Sequence, residues 1–429
     1  MSRQPKPGSR VAVIGAGIAG LSAAWLLGKE FRVSLFEAGS YFGGHSNTVD
    51  VTLNGVTAPV DTGFLVHNDL TYPNLIALFK HFDIPVHESS MTFGVSIDDP
   101  DIEWAGTNLS TVFAQPSNLF KPKFLAMLRD IIRFNSHASQ YLTQTQANPI
   151  TLRELLDREG FGQPMRDWYL LPMAAAIWSA SIKDILEFSA STFLAFCLNH
   201  RLLQVNDRPM WKTVLGGSRH YVKAILGQIE DARLACPVTS VSRSSAGVTV
   251  ASVKGEEIFD AVVFACHAPD SLRLLDVCSK ERSVLSKFKY QSNQAILHTD
   301  HGLLPRRKKV WSAWNYMSLS QQGMDRPVAV SYLINKLQPL PFSDPVIVTL
   351  NPLVEPIEHK VIRRIDYEHP VLDHVAVDAQ RQLPEIQGID RVWFCGAWAG
   401  YGFHEDGLKS ALRVARDFGV QPPWNAVYE

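Results

Sequence analysis

The strongest constraint on this chain lies at its N-terminus, where Arg10-Val11-Ala12-Val13-Ile14 runs straight into Gly15-Ala16-Gly17-Ile18-Ala19-Gly20 and then Leu21-Ser22-Ala23-Ala24-Trp25-Leu26-Leu27. A short, continuously apolar, β-branched run reads as a buried parallel strand. The segment after the glycines has good helix formers with apolar residues on more than one face, which predicts a helix packed on a sheet. Strand, Gly-x-Gly-x-x-Gly, helix is a phosphate cradle. Gly15 permits the tight turn, Gly17 lets backbone approach a pyrophosphate, and Gly20 lets the helix pack close. The helix N-terminus, with Ile18 and Ala19 in the cradle, offers free N–H groups and a positive dipole end.

A second strand, Arg32 to Phe36, ends in Glu37, seventeen residues after Gly20. A carboxylate there accepts both ribose hydroxyls of an adenosine and disfavours a 2′-phosphate. Strand, helix and acid together make dinucleotide binding the reading. The next segment, Ala38-Gly39-Ser40-Tyr41-Phe42-Gly43-Gly44-His45, points to FAD rather than NAD, because a second glycine pair lets the chain wrap around an extended dinucleotide. With this element the sequence resembles the flavin-containing amine oxidase superfamily, whose members carry an acid followed by Gly-Gly-Arg. His45 stands where arginine is usual, which implies a weakened phosphate or flavin contact.

Thr48 to Leu53 and Val56 to Val60 alternate on either side of Asn54-Gly55, a type I′ hairpin signal. Asp61-Thr62-Gly63-Phe64 comes next and resembles the superfamily's flavin-facing segment, with Gly63 and Phe64 as contacts. A further hairpin is expected from Met91 to Ile97 and Ile102 to Ala105. From Ser117 to Trp178 the pattern turns helical. In Lys121 to Phe134 the apolar positions 124, 125, 128, 131 and 132 follow helical spacing, with basic residues between them; a core-facing helix is favoured over a membrane-surface one. The block Trp168 to Trp178 suits a pocket wall or a core equally. Pro209 to Ser218 resembles the segment that re-enters the cofactor domain. Pro237 to Val241, including Val238 as a cofactor contact, begins a strand, hairpin, strand order that suits the excursion of glutathione-reductase-type FAD domains.

The expected architecture is α/β: a discontinuous, glutathione-reductase-like, Rossmann-type FAD-binding domain at 9–75, 212–275 and 385–425. An inserted α+β substrate domain, amine-oxidase-like, occupies 76–211 and 276–384.

Arg391 to Phe394 and the adjoining Cys395-Gly396-Ala397-Trp398-Ala399-Gly400-Tyr401-Gly402-Phe403-His404-Glu405-Asp406-Gly407-Leu408 form a second strand, Gly-rich loop and helix. Such a unit brings backbone N–H groups and a helix dipole to the flavin edge where charge grows on reduction. It resembles the superfamily's closing motif, with Gly396, Asp406, Gly407 and Leu408 as cofactor contacts. By the same resemblance Tyr401 walls an aromatic cage. His404 and Glu405 are candidates for proton transfer, and Asp406 for the cap of a helix beginning near Gly407. Amine oxidases of the superfamily also carry a lysine on a substrate-domain strand, placed by pattern at Tyr290 to His298. That stretch has no lysine, and Asn293 or Gln294 takes its place.

Composition narrows the partners. Forty-one basic against forty-two acidic residues leave a formal charge of −1, so no overall field draws nucleic acid. Five scattered cysteines with no Cys-x-x-Cys pair argue against disulfides or a metal site and for a reducing cytosol. The polar start lacks a signal-peptide core, and no window is long and apolar enough to span a bilayer.

The chain more closely resembles bacterial amine-oxidase-like proteins, often encoded beside methyltransferases similar to cyclopropane fatty acid synthase. Asp61 to Phe64, Trp311 to Tyr316 and Gly402 to Gly407 carry that likeness. It implies a hydrophobic substrate, a lipid or acyl chain, with hydride removal from a C–H bond. No cysteine occupies the loop Ala397 to Phe403, so FAD is expected to be held non-covalently, with attachment through a histidine left open, and the cysteine usage points to a cytoplasmic protein. Aromatics available for a tunnel are Trp168, Trp178, Phe188, Phe193, Phe196, Trp211, Trp311 and Trp314. Arg306-Arg307-Lys308-Lys309 and the basic helix leave peripheral contact with the inner face of an anionic membrane open. An amine oxidase, a flavin-dependent fatty acid isomerase and a flavin-free binding protein like the Rab GDP-dissociation inhibitors are the alternatives.

Overall fold

Val11, Val13 and Leu35 are buried on one side of a sheet while Ala12, Ile14 and Phe36 are buried on the other, which is why these strands read as unbroken apolar runs. The computed structural model describes residues 5–178, 182–204, 209–318 and 329–428. The sheet has five parallel strands, ordered Asp231–Arg233, Arg32–Phe36, Arg10–Ile14, Ala261–Phe264 and Val392–Phe394. Helices Ile18–Leu27 and His404–Asp417 belong to the core on one face, and the antiparallel trio Val238–Arg243, Val248–Ser252 and Gly255–Phe259 covers the other. Close approach explains two glycines. A Cβ on Gly20 would lie 1.8 Å from the Gly15 carbonyl oxygen, and one on Gly407 2.8 Å from Ile18 Cγ2.

A second sheet of seven strands runs Val361–Val371, Lys289–His298, Ile347–Leu350, Ala329–Leu333, Trp314–Ser318, Phe93–Ile97 and Ile102–Ala105. Between the two sheets Trp211–Val214 pairs with both His67–Asn68 and Val86–Ser89, so a small third sheet stitches the chain together where it crosses over. The Asn54-Gly55 hairpin forms with both residues at positive φ, +51° and +80°, as a type I′ turn requires. Phe93–Ile97 and Ile102–Ala105 form the other expected hairpin.

The helical stretch is Pro122–Ala147, Leu152–Arg158 and Leu171–Trp178, the last preceded by a π-helical turn, Arg166–Leu170. The buried stripe of the 26-residue helix is Phe124, Met127, Phe134, Ala138 and Tyr141. Of the five apolar positions expected to face the core, Leu125 and Ile132 are exposed, and Leu128 and Ile131 are half-buried. Apolar residues in the first three turns cover more than one face, so spacing alone did not say which face packs. Among the described residues, no helix is long and apolar enough to cross a membrane.

Candidate active site

A cavity of about 760 Å³ lies between the parallel sheet and the seven-stranded one. Its first end is built by the N-terminal motif. Gly15, Gly17, Ile18 and Ala19 line it, whereas Gly20 sits behind, against Gly15. Nothing lies within 4 Å of the position a Gly17 side chain would take, so that side chain would project into the cavity. Gly43, at φ +122°, donates its N–H to the Ala16 carbonyl at 2.9 Å, and a Cβ on Gly44 would lie 3.3 Å from Gly17 Cα. The second glycine pair is therefore packed onto the first motif.

Glu37 and Ala38 continue the wall. The Glu37 carboxylate accepts the Ala16 N–H at 2.9 Å and the Gly39 N–H at 2.7 Å. Each oxygen keeps lone-pair capacity for a ribose hydroxyl. Val238, Ala265 and Cys266 complete this end. A long cavity with an open Gly17, a helix N-terminus and an acceptor pair at Glu37 fits an adenine dinucleotide.

Three imidazoles sit along the same side. His45 stacks on Tyr367 at 4.7 Å between ring centroids and lies 5.1 Å from His369. Burial, then the neighbouring His369, holds His45 well below the ordinary imidazole range, and its buried Nε2 has no hydrogen-bond partner. Burial lowers His369 to about 4. His267 stacks on Tyr290 and pairs with Glu368 at 3.1 Å. Asn293, expected at the reaction centre, does not line the cavity. It is buried behind His369, its amide 2.8 Å from His369 Nδ1 and its oxygen accepting from Asn351. Its side chain is held between His369 and Asn351. Sequence reasoning missed Tyr367 and His369, since no motif marks them.

The far end is aromatic. Phe64, Tyr72, Met91, Ile177, Trp178, Phe196, His200, Trp211, Trp314, Tyr332, Tyr401, Phe403 and His404 all reach it. Phe196 stacks on Phe403 at 5.0 Å and tilts against Tyr401 at 5.7 Å, so Tyr401 forms part of the cavity wall. A contiguous apolar pocket of about 110 Å³ shares Met91, Ile177, His200, Leu202, Trp211 and Trp314, and extends outward to Trp104, Gly106, Tyr169 and Met173. Of the eight aromatics expected along a tunnel, Trp178, Phe196, Trp211 and Trp314 line one. Phe188 and Phe193 are fully buried core, and Trp168 and Trp311 also lie outside the wall.

The closing helix begins at His404, three residues before Gly407. His404 stacks on Phe64 at 3.8 Å, and its Nε2 meets Ser46 Oγ at 2.9 Å and Tyr221 Oη at 3.0 Å. Burial pushes it down to about 3, which makes it a weak base, so its surroundings support an ordered wall rather than the expected proton transfer. Glu405 turns away from the cavity and accepts the Asn74 and Leu75 N–H groups at 3.1 and 2.9 Å, capping helix Pro73–His81. Asp406 is not the N-cap. It reaches back to accept the Phe403 N–H at 3.0 Å, and burial raises it to about 6. Gly396 lines the cavity, but Asp406, Gly407 and Leu408 do not, because Gly407 packs on Ile18 and Leu408 lies in the core. Gly63 and Phe64 line it, whereas Asp61 is a buried hub accepting from Thr48, Ser218 and Gln338.

A family profile described as flavin containing amine oxidoreductase matches residues 18–333. No curated protein matches the sequence significantly. Among solved structures, a CLA-producing fatty acid isomerase from P. acnes is similar at 16% identity, covering 95% of this chain and 98% of that one, with a TM-score of 0.65. Wild-type putrescine oxidase bound to putrescine is similar at 14% identity over 96% and 99%, with a TM-score of 0.65. Cyclohexylamine oxidase from Brevibacterium oxydans is similar at 15% identity over 97% and 100%, with a TM-score of 0.64. At these identities the likeness is one of fold.

Proposed function

The chain belongs to the flavin-containing amine oxidoreductase family and is an FAD-dependent oxidoreductase, and from that premise we propose that it removes a hydride from a C–H bond of a fatty acyl chain or similar lipid. FAD, when bound, supplies the hydride-accepting centre and passes the electrons on. Gly17 and the first turn of helix Ile18–Leu27 would hold its pyrophosphate, and Glu37 its ribose.

One observation carries the substrate reading. The substrate-side wall, from Met91 through Trp178, Phe196 and Trp211 to Trp314 and on to Trp104 and Tyr169, holds no carboxylate among the described residues. Its ionisable members are neutral imidazoles, tyrosines and Arg201. An ammonium entering such a wall would lose its hydration without gaining a counter-charge; an acyl chain loses only apolar contact with water. The two pockets share Met91, Ile177, His200, Leu202, Trp211 and Trp314, so apolar wall continues from one into the other. The stacked Phe196, Phe403 and Tyr401 set confines the chain and excludes water, which is what hydride removal from an unactivated C–H bond asks of its surroundings.

The test is anaerobic mixing of the yellow holoenzyme with acyl lipids and with primary and secondary amines while following the flavin spectrum. Bleaching by acyl lipids and not by amines is expected. Bleaching by an amine alone would replace this reading with amine oxidation, and return of the colour with a shifted double bond would make the reaction an isomerisation.

A further inference from the structure

We propose that the face running from Leu109 through Phe120 and along the outer stripe of helix Pro122–Ala147 is a docking surface for an anionic lipid bilayer. Large apolar side chains stand out of this face. Phe120 is 85% exposed, Leu109 77% and Ile132 67%, with Leu119 and Leu125 also exposed. Leu119, Phe120, Leu125 and Ile132 follow one another along this face, because the 3-10 turn Pro116–Phe120 leads through Lys121 straight into the helix. Leu125, Arg129 and Ile132 then succeed one another at the spacing of one outward stripe, opposite the buried Phe124, Met127 and Phe134.

Charge identifies the partner. Lys121 and Lys123 flank Phe120 and Leu125, and Arg129 lies between Leu125 and Ile132. The remote basic run Arg306 to Lys309 is brought to the edge of the same face. Lys121 Nζ donates to the Asp101 carbonyl at 2.6 Å, and Arg306 pairs with the Asp101 carboxylate. Arg307 pairs with buried Glu103 at 2.5 Å, leaving Lys308 and Lys309 exposed. The acids nearby are few or occupied: Asp130 is buried between Arg129 and Arg133, and Asp98 and Asp99 are exposed in the Asp101 turn. Single apolar side chains interleaved with cations suit insertion between anionic headgroups. Two copies of one cationic face would repel each other across a two-fold axis.

The position matters for access. Phe124, on the inner side of this helix, lies 6.4 Å from Trp104 between ring centroids, and Trp104, Gly106 and Tyr169 form the outer end of the apolar pocket. The docked face therefore lies over the end of the pocket farthest from the dinucleotide cradle, where a chain drawn from a bilayer would arrive. The docking itself does not depend on the substrate reading, since it is measured without turnover.

The experiment sediments the holoenzyme with vesicles of phosphatidylcholine and with vesicles of phosphatidylcholine plus phosphatidylglycerol, at low and high salt. Binding to the anionic vesicles at least about tenfold tighter than to the zwitterionic ones, and weakened by salt, is expected. Phe120→Ser with Leu125→Ser, and separately Lys123→Gln with Lys309→Gln, should each weaken it by about tenfold or more. Flavin content and far-UV circular dichroism should stay unchanged. Val354→Ser with Ile357→Ser, exposed elsewhere, should bind like the unaltered protein. Binding to neither vesicle, equal binding to both, or no effect of the Phe120 and Leu125 changes would overturn the proposal. So would concentration-dependent self-association that those changes abolish, which would assign the face to a second copy. Vesicle binding without bleaching by acyl lipids would leave docking standing and remove the substrate reading.

Discussion

Gly17 and Glu37 hold opposite kinds of position at the cofactor end, one defined by a side chain that is missing and the other by two oxygens that each hold one backbone N–H and keep room for a ribose hydroxyl. A side chain at Gly17 would enter the space above the first turn of helix Ile18–Leu27. Gly17→Val should therefore give folded but colourless protein; a fully yellow variant would show that the pyrophosphate lies elsewhere. Glu37→Ala removes the acceptor for the Ala16 and Gly39 N–H groups as well as for the ribose. Charge-assisted hydrogen bonds are worth about 1.5–3 kcal/mol each, so flavin affinity, read by fluorescence titration of the apoprotein, should fall at least about tenfold. An unchanged Kd would reduce Glu37 to a strand end. At this scale the sequence was legible where a residue type is forced by close approach, as at Gly20 and Gly44. It was not legible where a neighbouring side chain decides which residue of a strand meets the cavity. Asn293 lies on the expected strand, but from that strand it is Tyr290 that reaches the cavity, while Asn293 sits opposite Tyr367 in the pairing and supports His369 from behind.

The two helices at the closing end illustrate how an element's beginning changes the meaning of its residues. Read from Gly407, Glu405 lies in a loop facing the flavin. Because the helix begins at His404, Glu405 falls in its first turn and points across to the N-terminus of Pro73–His81. There it accepts two backbone N–H groups and the Asn74 side-chain amide, the last at 2.7 Å. Glu405→Ala leaves these donors unpaired in a buried place and should destabilise the protein by about 2–3 kcal/mol. Glu405→Gln should recover part of that, because its amide oxygen still accepts the two Asn74 donors while its NH2 faces the Leu75 N–H. Urea unfolding of the three proteins measures it; a stable Glu405→Ala variant that has lost only turnover would restore the catalytic reading. Strands and hairpins were readable because apolar runs and Asn54-Gly55 act locally. The π-helical turn at Arg166–Leu170 carries no local signal, yet it precedes the helix that presents Met173, Ile177 and Trp178 to the pockets.

Over the whole molecule, the Gly-rich units and their apolar strands made Arg10–Ile14, Arg32–Phe36 and Val392–Phe394 readable and the apolar run Ala261–Phe264 added a fourth, whereas the edge strand Asp231–Arg233 has no apolar run to mark it. The aromatic chamber was not readable, because core and tunnel aromatics share a composition. The same burial that hides those aromatics sets the pH dependence of stability. Desolvation lowers His67, His200, His298 and His369 to about 4 and His404 to about 3. An unfolded histidine titrates near 6.5. As pH falls through 6.5 the unfolded chain therefore takes up protons that the folded protein refuses, and stability present above that pH is lost. Buried carboxyls act the other way. Asp61 and Asp406, raised to about 6 by burial, bind protons in the folded state first and return part of the loss. His45 is lowered by burial as well, and Asp167, Glu405 and Asp417 are raised, so the strongly lowered imidazoles outnumber the strongly raised carboxyls and stability falls from pH 7.5 toward 5.5. His298 isolates one contribution away from the cavity, since it is buried between the Thr349 hydroxyl and the Asp300 N–H at 2.8 and 3.0 Å. His298→Gln keeps a polar group there without a titrating one. Urea unfolding across this range should show the parent losing stability toward acid and the variant losing about one proton's worth less, near 1.4 kcal/mol per pH unit at most. Stability that stays flat or rises from pH 7.5 to 5.5 would mean the buried imidazoles are not the groups that unfolding releases to water.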